Sequence, residues 1–113
     1  MPYVRITTNQ APADPAALIA EASRLVASET GKPEAYVMVT LDPQVALSFA
    51  ASTNPAAFFD VRGIGLSTKT ARGLATSLCD LAKTRLGAPP DRVFLNFTDV
   101  PADRWGFNSA TFG

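Results

Sequence analysis

Hydrophobic and polar positions in the first half of the chain predict a strand, a helix and a second strand. Residues 3–8 alternate and are rich in β-branched side chains, which is typical of a half-buried strand. Residues 14–31 open with Asp-Pro, carry apolar residues at helical spacing and close on a glycine, and so predict a helix. Residues 36–41 are an apolar run of strand formers that predicts the second strand, and residues 45–50 are a candidate short strand behind it.

The second half of the chain follows the same order of elements. Residues 57–64 predict a third strand. Either Ser67 or Thr68 is expected to cap a second helix, which ends at another glycine. Residues 93–99 predict a fourth strand, and the aromatic spacing of residues 105–112 predicts a short final strand or hairpin.

A shift of 56 residues relates the two halves, because it carries Gly31-Lys32-Pro33 onto Gly87-Ala88-Pro89. Two strand–helix–strand units related by a pseudo-twofold axis form a four-stranded sheet with both helices on one face. The sequence therefore predicts an α+β two-layer sandwich, built as one domain over residues 1–113 with repeats at roughly 2–50 and 57–113. The second face of the sheet then needs a partner, for which another copy of the chain is expected.

Charge and residue usage narrow the classes of function. The 113 residues carry no net charge and the basic ones are scattered, so no nucleic-acid partner and no membrane-surface partner is expected. Charged residues make up 18% of the chain, below the usual share of about 25%, which suggests that another subunit covers part of the surface. The chain has no signal-peptide pattern and no apolar stretch of membrane-spanning length, so a cytoplasmic location is expected.

The missing residue types limit the chemistry further. Histidine, the commonest general base and metal ligand, is absent. The single cysteine, Cys79, excludes an intrachain disulfide and a thiolate metal cluster, and it is expected to be a small buried apolar residue. No metal or cofactor is expected, so the base of an enzyme must be a carboxylate, a lysine, a tyrosine or the N-terminal amine. Asp60 and Asp99 are of the right type, but the sequence offers no pairing of carboxylates.

The dipeptide Met1-Pro2 supplies an unusual candidate base. Removal of Met1, which is usual before a small residue such as proline, leaves a secondary amine at the start of the chain. An ordinary α-amino group has a pKa of about 7.7–8.0, and burial lowers it, so this amine can act as a general base near neutral pH. Retention of Met1 makes the Pro2 nitrogen a non-basic amide. The alternative interpretation is that Pro2 only begins an edge strand, where a missing N–H has little cost.

Three further positions have both a functional and a structural interpretation. Lys32 corresponds to an alanine in the repeat, so the fold does not require a lysine there; it either binds an anionic group or is an ordinary solvated residue. Gly63-Ile64-Gly65 either presents free backbone N–H groups to an anion or forms a simple tight turn. Asn96 interrupts an apolar strand, where a buried amide must bond either a neighbouring strand or a substrate.

Four aromatic residues late in the chain are candidates for the core, for an interface or for the wall of an aromatic pocket: Phe94, Trp105, Phe107 and Phe112.

Taken together, these motifs resemble the macrophage migration inhibitory factor family of the tautomerase superfamily. The resemblance extends from one end of the chain to the other, and the order and spacing of the motifs carry it. The motifs are Met1-Pro2, Thr30-Gly31-Lys32-Pro33 with Tyr36, Ser52-Thr53-Asn54-Pro55, Ile64-Gly65, Pro90-Asp91-Arg92-Val93 with Asn96, and Asn108-Ser109-Ala110-Thr111-Phe112.

The resemblance implies a homotrimer with three pockets at the subunit boundaries. It implies that Pro2 is the general base that moves a proton between carbon and oxygen of an enolisable 2-keto acid such as phenylpyruvate. Lys32 and the backbone of Ile64 would then bind the anionic end of the substrate, and Asn96 of the adjacent subunit would bond its far end. The residues implied as pocket walls are Tyr36, Phe94, Trp105 and Phe107.

The sequence also departs from the family pattern. Ala56 and Phe59 stand where the animal cytokines of the family carry Cys-x-x-Cys, so thiol oxidoreductase activity is not expected. Phe94 stands where a pocket tyrosine is common, and Phe107 replaces a frequent tryptophan while Trp105 lies two residues earlier. These changes are expected to alter the shape of the pocket and its substrate preference.

Two other functions fit the same scaffold. One is a non-catalytic, cytokine-like binding trimer, for which non-classical secretion follows by analogy with the family. The other is a different reaction of the superfamily, dehalogenation or decarboxylation, which recruits further arginines or acids around the proline. The sequence alone does not place Arg5, Arg62 or Arg104 relative to Pro2. Retention of both Pro2 and Lys32 argues against the binding trimer, since packing requires neither residue.

Overall fold

Two strand–helix–strand units form one sheet in the computed structural model, which describes all of residues 1–113. The sheet order is β2-β1-β3-β4, with β1 parallel to β2, β3 parallel to β4, and the two central strands antiparallel. This arrangement confirms the predicted α+β fold. The elements are β1 (Tyr3–Thr8), α1 (Pro15–Thr30), β2 (Met38–Asp42), β3 (Ala57–Gly63), α2 (Thr68–Leu86) and β4 (Val93–Asp99).

The core lies between one face of the sheet and the two helices, which both cover that face. Alternate residues of the central strands, such as Val4 and Val61, are completely buried there. The helices contribute apolar residues at three- and four-residue spacing, with Leu18 from α1 and Leu78 from α2 among them. The opposite face of the sheet has no helix against it.

The ends of both helices follow from local sequence. The carboxylate of Asp14 accepts a hydrogen bond from the N–H of Ala17 at 3.0 Å, which caps α1. Ser67, rather than Thr68, caps α2. Gly31 and Gly87 close the helices in the left-handed conformation, with φ of 69° and 65°, which a glycine adopts without steric cost.

The second strand begins later than predicted. Residues 34–36 form a single turn of 3₁₀ helix instead, because the N–H groups of Tyr36 and Val37 donate to the carbonyls of Pro33 and Glu34 at 3.0 Å each. Those N–H groups are therefore not available to a sheet ladder, and Tyr36 lies outside β2. The prediction of a strand over residues 36–41 was wrong at its first residues.

Residues 45–50 do not form a strand within this chain. The segment makes only an isolated antiparallel bridge between Phe49 and Ser52, with two backbone hydrogen bonds of 3.0 Å. Ala50 and Ala51, between them, have positive φ angles of 51° and 58°. The sheet has open edges at β2 and β4, but the segment pairs with neither of them.

The tail forms the predicted hairpin, with β5 (Gly106–Phe107) antiparallel to β6 (Ala110–Thr111). Asn108 and Ser109 connect the strands with φ angles of 51° and 64°, as a tight turn with two left-handed residues requires. The hairpin brings Phe107 and Phe112 onto one side of the tail. Neither helix has the length and apolar character that crossing a membrane requires.

Candidate active site

Pro2 is buried just before β1, beside the end of β3. Tyr3 pairs with Arg62 in the antiparallel ladder, so Pro2 lies at the level of Gly63. The N–H of Met38 donates to the carbonyl of Pro2 at 3.1 Å, which links the residue to the strand on its other side. Pro2 therefore precedes a central strand, and the interpretation that it begins an edge strand was wrong.

Lys32 and Ile64 share one small pocket with Pro2. The left-handed Gly31 turns the chain at the end of α1 and delivers a half-buried Lys32 to this point. The pocket has a volume of about 10 Å³, which is room for about one water molecule. Its lining residues are Pro2, Thr30, Lys32, Gly63, Ile64, Gly65, Leu66 and Thr70.

The turn that follows β3 contributes backbone donors to this pocket. Gly65 has a φ of 69°, so the chain reverses there without a side-chain clash. The N–H groups of Ile64 and Gly65 have no hydrogen-bond acceptor within the chain. Free N–H groups in a turn of this kind attract anions, and the ammonium group of Lys32 on the same pocket adds a full positive charge.

The N-terminal amine lies next to this charge. The α-amino group of Met1 donates a hydrogen bond to the carbonyl of Tyr36 at 2.7 Å. Burial lowers the pKa of this amino group below its ordinary value of 8.0, and the ammonium group of Lys32 lowers it further. Both effects favour the neutral amine, which is the form that accepts a proton.

Aromatic side chains form a second cavity on the other side of the N-terminus, with a volume of about 210 Å³. The ring of Tyr36 meets the ring of Phe107 edge-on, with 5.5 Å between centroids, and Phe107 stacks on Phe112 at 5.6 Å. Trp105 also lines the cavity. Phe112 lines it as well; this residue was a candidate for a pocket wall by its type, although the family resemblance did not assign it to the site.

Phe94 and Asn96 lie away from this pocket within the chain. In the parallel β3–β4 ladder, Asp99 is opposite Gly63 whereas Phe94 is opposite Phe58. Strands advance about 3.3 Å per residue, so Phe94 is about 16 Å and Asn96 about 10 Å along β4 from the pocket. One chain alone therefore does not bring these two side chains to Pro2.

The apolar residues around Asn96 predicted a buried amide, but the side chain is exposed. Residues 93–97 read as one apolar run, but a strand directs alternate side chains to opposite faces. Val93 faces the core, while Phe94 is 60% exposed on the face that carries no helix. Asn96 shares that open face.

Within one chain, the site combines a partly buried N-terminal amine, a lysine ammonium, two free backbone N–H groups and an aromatic wall. This combination can bind an anion that has an apolar tail, and it places a proton acceptor beside the bound molecule. Proton transfer next to a group on which negative charge develops is the chemistry that such a set supports.

Comparison with known proteins finds similarity along the whole chain. The model of the family described as macrophage migration inhibitory factor (MIF) matches residues 1–113. The chain is 34% identical over 115 residues to the MIF homologue of Brugia malayi, with 100% of both chains covered. It is 32% identical over 114 residues to MIF of Rattus norvegicus, covering 99% of each. The crystal structure of the MIF homologue from Prochlorococcus marinus has a TM-score of 0.93 and 36% identity, covering 98% of this chain and 99% of that one.

The chain belongs to the macrophage migration inhibitory factor family. Membership of the MIF family confirms the resemblance inferred from the motifs, and it places the chain in the tautomerase superfamily.

The structure also shows the surroundings of Ala56, Phe59 and Cys79. Ala56 and Phe59 are both completely buried in this MIF-family chain. Cys79 is half-buried against the core instead of fully buried as predicted, and burial raises the pKa of its thiol. Ala56 and Phe59 therefore belong to the buried apolar interior of the chain.

Proposed function

We propose that this protein is a keto–enol tautomerase that acts on 2-keto acids with an apolar, aromatic tail, phenylpyruvate being the test substrate. Pro2 is the general base once Met1 has been removed. Lys32 and the N–H of Ile64 bind the carboxylate of the substrate, and Tyr36, Trp105 and Phe107 surround its tail. The enzyme is a homotrimer in which a neighbouring copy supplies Phe94 and Asn96.

The observation that carries this proposal is the environment of the N-terminal amine. Burial and the charge of Lys32 lower the pKa of the Met1 amino group. Pro2 is itself buried and lies on the same pocket as Lys32, so the same two influences act on a proline amine at that position. A base whose pKa lies near the working pH is the most efficient one for a carbon acid.

The donors around the pocket support a carboxylate as the bound group. Lys32 offers a point charge, and Ile64 and Gly65 offer unpaired N–H groups from one turn. The same positive charge stabilises the negative charge that develops on the carbonyl oxygen as the proton leaves carbon. The proton moves from C3 of the keto acid to the amine, and the enolate oxygen then takes that proton from the ammonium group, which completes the enol and regenerates the amine.

Several features of the open sheet face support completion of the site by a second copy. The pocket of a single chain, at about 10 Å³, is too small for a phenylpyruvate-sized ligand. Met38 and Phe94 are 63% and 60% exposed, which is unusual for large apolar side chains. An apolar cavity of about 400 Å³ lies between the segment around Phe49 and the exposed Phe58 and Phe94, where a neighbouring chain can pack.

The decisive experiment measures phenylpyruvate enol–keto interconversion across a range of pH. It uses protein whose N-terminal mass shows that Met1 is absent, beside the Pro2→Gly variant and protein that retains Met1. We expect activity that rises with pH through a pKa below 8, with strong loss in Pro2→Gly and in the form that retains Met1.

Light scattering on each sample separates loss of assembly from loss of chemistry. Trimeric, correctly processed protein without activity would contradict the proposal and would favour the binding trimer or another reaction of the superfamily. Full activity in Pro2→Gly would leave the tautomerase assignment intact and show that the base need not be a proline amine.

A further inference from the structure

The end of β4 anchors the turn that forms one wall of the pocket. On one side of the turn, the carbonyl of Gly63 accepts a hydrogen bond from the N–H of Val100 at 2.8 Å. On the other side, the N–H of Leu66 donates to the carboxylate of Asp99 at 3.0 Å. Two consecutive residues, the last of β4 and the one that follows it, thus hold both ends of a single turn.

Between these two anchors lie Ile64 and Gly65, whose N–H groups have no acceptor within the chain. Gly65 is in the left-handed conformation with a φ of 69°, and neither residue belongs to a strand or helix. The direction of their N–H groups therefore depends on the bonds at the two ends of the turn. Of these two hydrogen bonds, only the one from the N–H of Leu66 has a side chain, that of Asp99, as its acceptor.

We propose that Asp99 is a positioning residue, which acts by holding this turn so that its free N–H groups face a bound carboxylate. The inference rests on the proposed function, because it assigns the turn to the anionic end of the substrate. It also gives a role to Asp99, which was a candidate base by residue type alone. Asp99 serves as a hydrogen-bond acceptor, just as the other candidate, Asp60, accepts from Arg62 at 3.2 Å.

The role requires an acceptor atom and does not require a negative charge. A carboxylate near a bound carboxylate repels it, so removal of the charge alone does not weaken binding. Asparagine keeps an oxygen at the position of the Asp99 acceptor, whereas alanine removes it. The two substitutions therefore separate anchoring of the turn from charge.

The test compares Asp99→Ala, Asp99→Asn and Asp80→Ala in the trimeric, processed protein. Asp80 is an exposed aspartate on α2 whose side chain makes no hydrogen bond or ion pair, so it is a matched control. We expect Asp99→Ala to raise the KM for phenylpyruvate about fivefold to tenfold with kcat changed less than about twofold, because one orienting hydrogen bond is lost. Asp99→Asn and Asp80→Ala should retain the KM of the parent protein.

Two measurements by NMR make the test independent of catalysis. Amide hydrogen exchange of Leu66 should accelerate in Asp99→Ala and remain slow in Asp99→Asn, since only the alanine removes the acceptor. Titration with phenylpyruvate, followed at the amides of Ile64 and Gly65, should give the same ranking of affinities as KM. These readouts stand even when the parent protein shows no tautomerase activity, so failure of the proposed function is distinguishable from failure of the inference.

Three outcomes would overturn the inference. One is an unchanged KM and an unchanged phenylpyruvate affinity in Asp99→Ala despite faster exchange at Leu66. Another is an Asp99→Asn protein that behaves like Asp99→Ala, which would make the charge and not the acceptor responsible. The third is an absence of phenylpyruvate-dependent shifts at Ile64 and Gly65 in the parent protein.

Discussion

Lys32 illustrates how a single side chain gives the pocket its chemical character. Its counterpart in the repeat, Ala88, is completely buried, so the architecture is satisfied without a charge at that position. Lys32 is instead half-buried in the pocket, close enough to the N-terminal amine to lower its pKa. A cation there has two consequences, one for the binding of an anion and one for the base.

The first consequence predicts the effect of Lys32→Ala on activity. The substitution removes a charged donor to the substrate carboxylate and the charge that stabilises the developing enolate. We expect kcat/KM for phenylpyruvate to fall roughly tenfold to a hundredfold, the usual range for a charged hydrogen bond. Lys83→Ala, which removes an exposed lysine from the last turn of α2, is the control and should leave kcat/KM unchanged.

The second consequence predicts the pH dependence of the same variant. The amine is active when it is unprotonated, so a lowered pKa places the rise in activity at lower pH. Burial is the larger cause of the lowering and Lys32 the smaller one. Lys32→Ala should therefore move the rise to higher pH while leaving it below the pKa of a free amine. The measurement is kcat/KM against pH. A rise at the same pH in Lys32→Ala as in the parent protein would show that Lys32 does not lower the pKa of the base.

At the scale of elements, Arg92 connects the irregular segment after β2 to the start of β4. Its guanidinium donates to four backbone carbonyls, at 2.9 to 3.0 Å, and lies 5.4 Å from the centre of the Phe49 ring. The ring of Phe49 in turn packs against Phe94, with 4.5 Å between centroids. Arg92 thus fixes a loop that forms no strand of its own. The four acceptors are the carbonyls of Phe49, Ser52, Asn54 and Pro55.

Arg92→Lys tests whether the stability of the protein depends on the attachment of this loop by Arg92. A lysine keeps the charge but has no planar fork with which to reach four carbonyls at once. We expect the free energy of unfolding to fall by about 1–3 kcal/mol, as for the loss of charged hydrogen bonds. Urea unfolding of the variant beside Arg72→Lys, a change at an exposed arginine without an ion pair, measures the effect. Equal stability of the two variants would show that the hydrogen bonds of Arg92 to the loop do not stabilise the protein.

At the scale of the whole molecule, the face of the sheet without helices has two different ends. Around β1 and β2 it is mostly polar apart from the exposed Met38, with an ion pair of 2.7 Å between Arg5 and Asp42 and a hydrogen bond of 2.8 Å between Tyr3 and Thr40. Around β3 and β4 it exposes Phe58 and Phe94. The polar end is suited to contact with water and the aromatic end to contact with another chain, which agrees with the proposed trimer.

The proposed trimer predicts that two variants with different inactivating substitutions complement each other. Co-expression of Pro2→Gly chains with Asn96→Ala chains produces mixed trimers. In a cyclic mixed trimer, one boundary joins an intact Pro2 to an intact Asn96 from the neighbouring copy. The phenylpyruvate tautomerase activity of the mixture should exceed the combined activity of the two variants assayed apart. Activity equal to that combined value would show that no site joins Pro2 of one copy to Asn96 of its neighbour.

Much of the fold was predictable because its signals are local. Helix limits depend on capping side chains and on glycines that adopt a left-handed conformation. Such residues are recognisable in the sequence, and here they are Asp14, Ser67, Gly31 and Gly87. The alternation of residues 3–8 likewise reflects a strand with one buried face. The absence of histidine and the Met1-Pro2 start limit the candidate bases, since residue type alone decides which groups can take up a proton near neutral pH.

Other features required the tertiary structure, because they depend on residues distant in the sequence. Tyr36 lies in a 3₁₀ turn whose hydrogen bonds withdraw it from the strand, although its apolar run favoured β structure. Asn96 is exposed because the second face of the sheet has no covering layer within the chain. The link from Asp99 to Leu66 spans 33 residues and has no sequence signal.

Residue type and local pattern therefore determined the elements and the candidate groups of this protein. The packing of β1 beside β3, and of the end of α1 beside both, decided which of those groups share a pocket. The physical reason is that capping and periodicity act over a few residues along the chain, whereas burial, pKa shifts and hydrogen bonds between strands act across space.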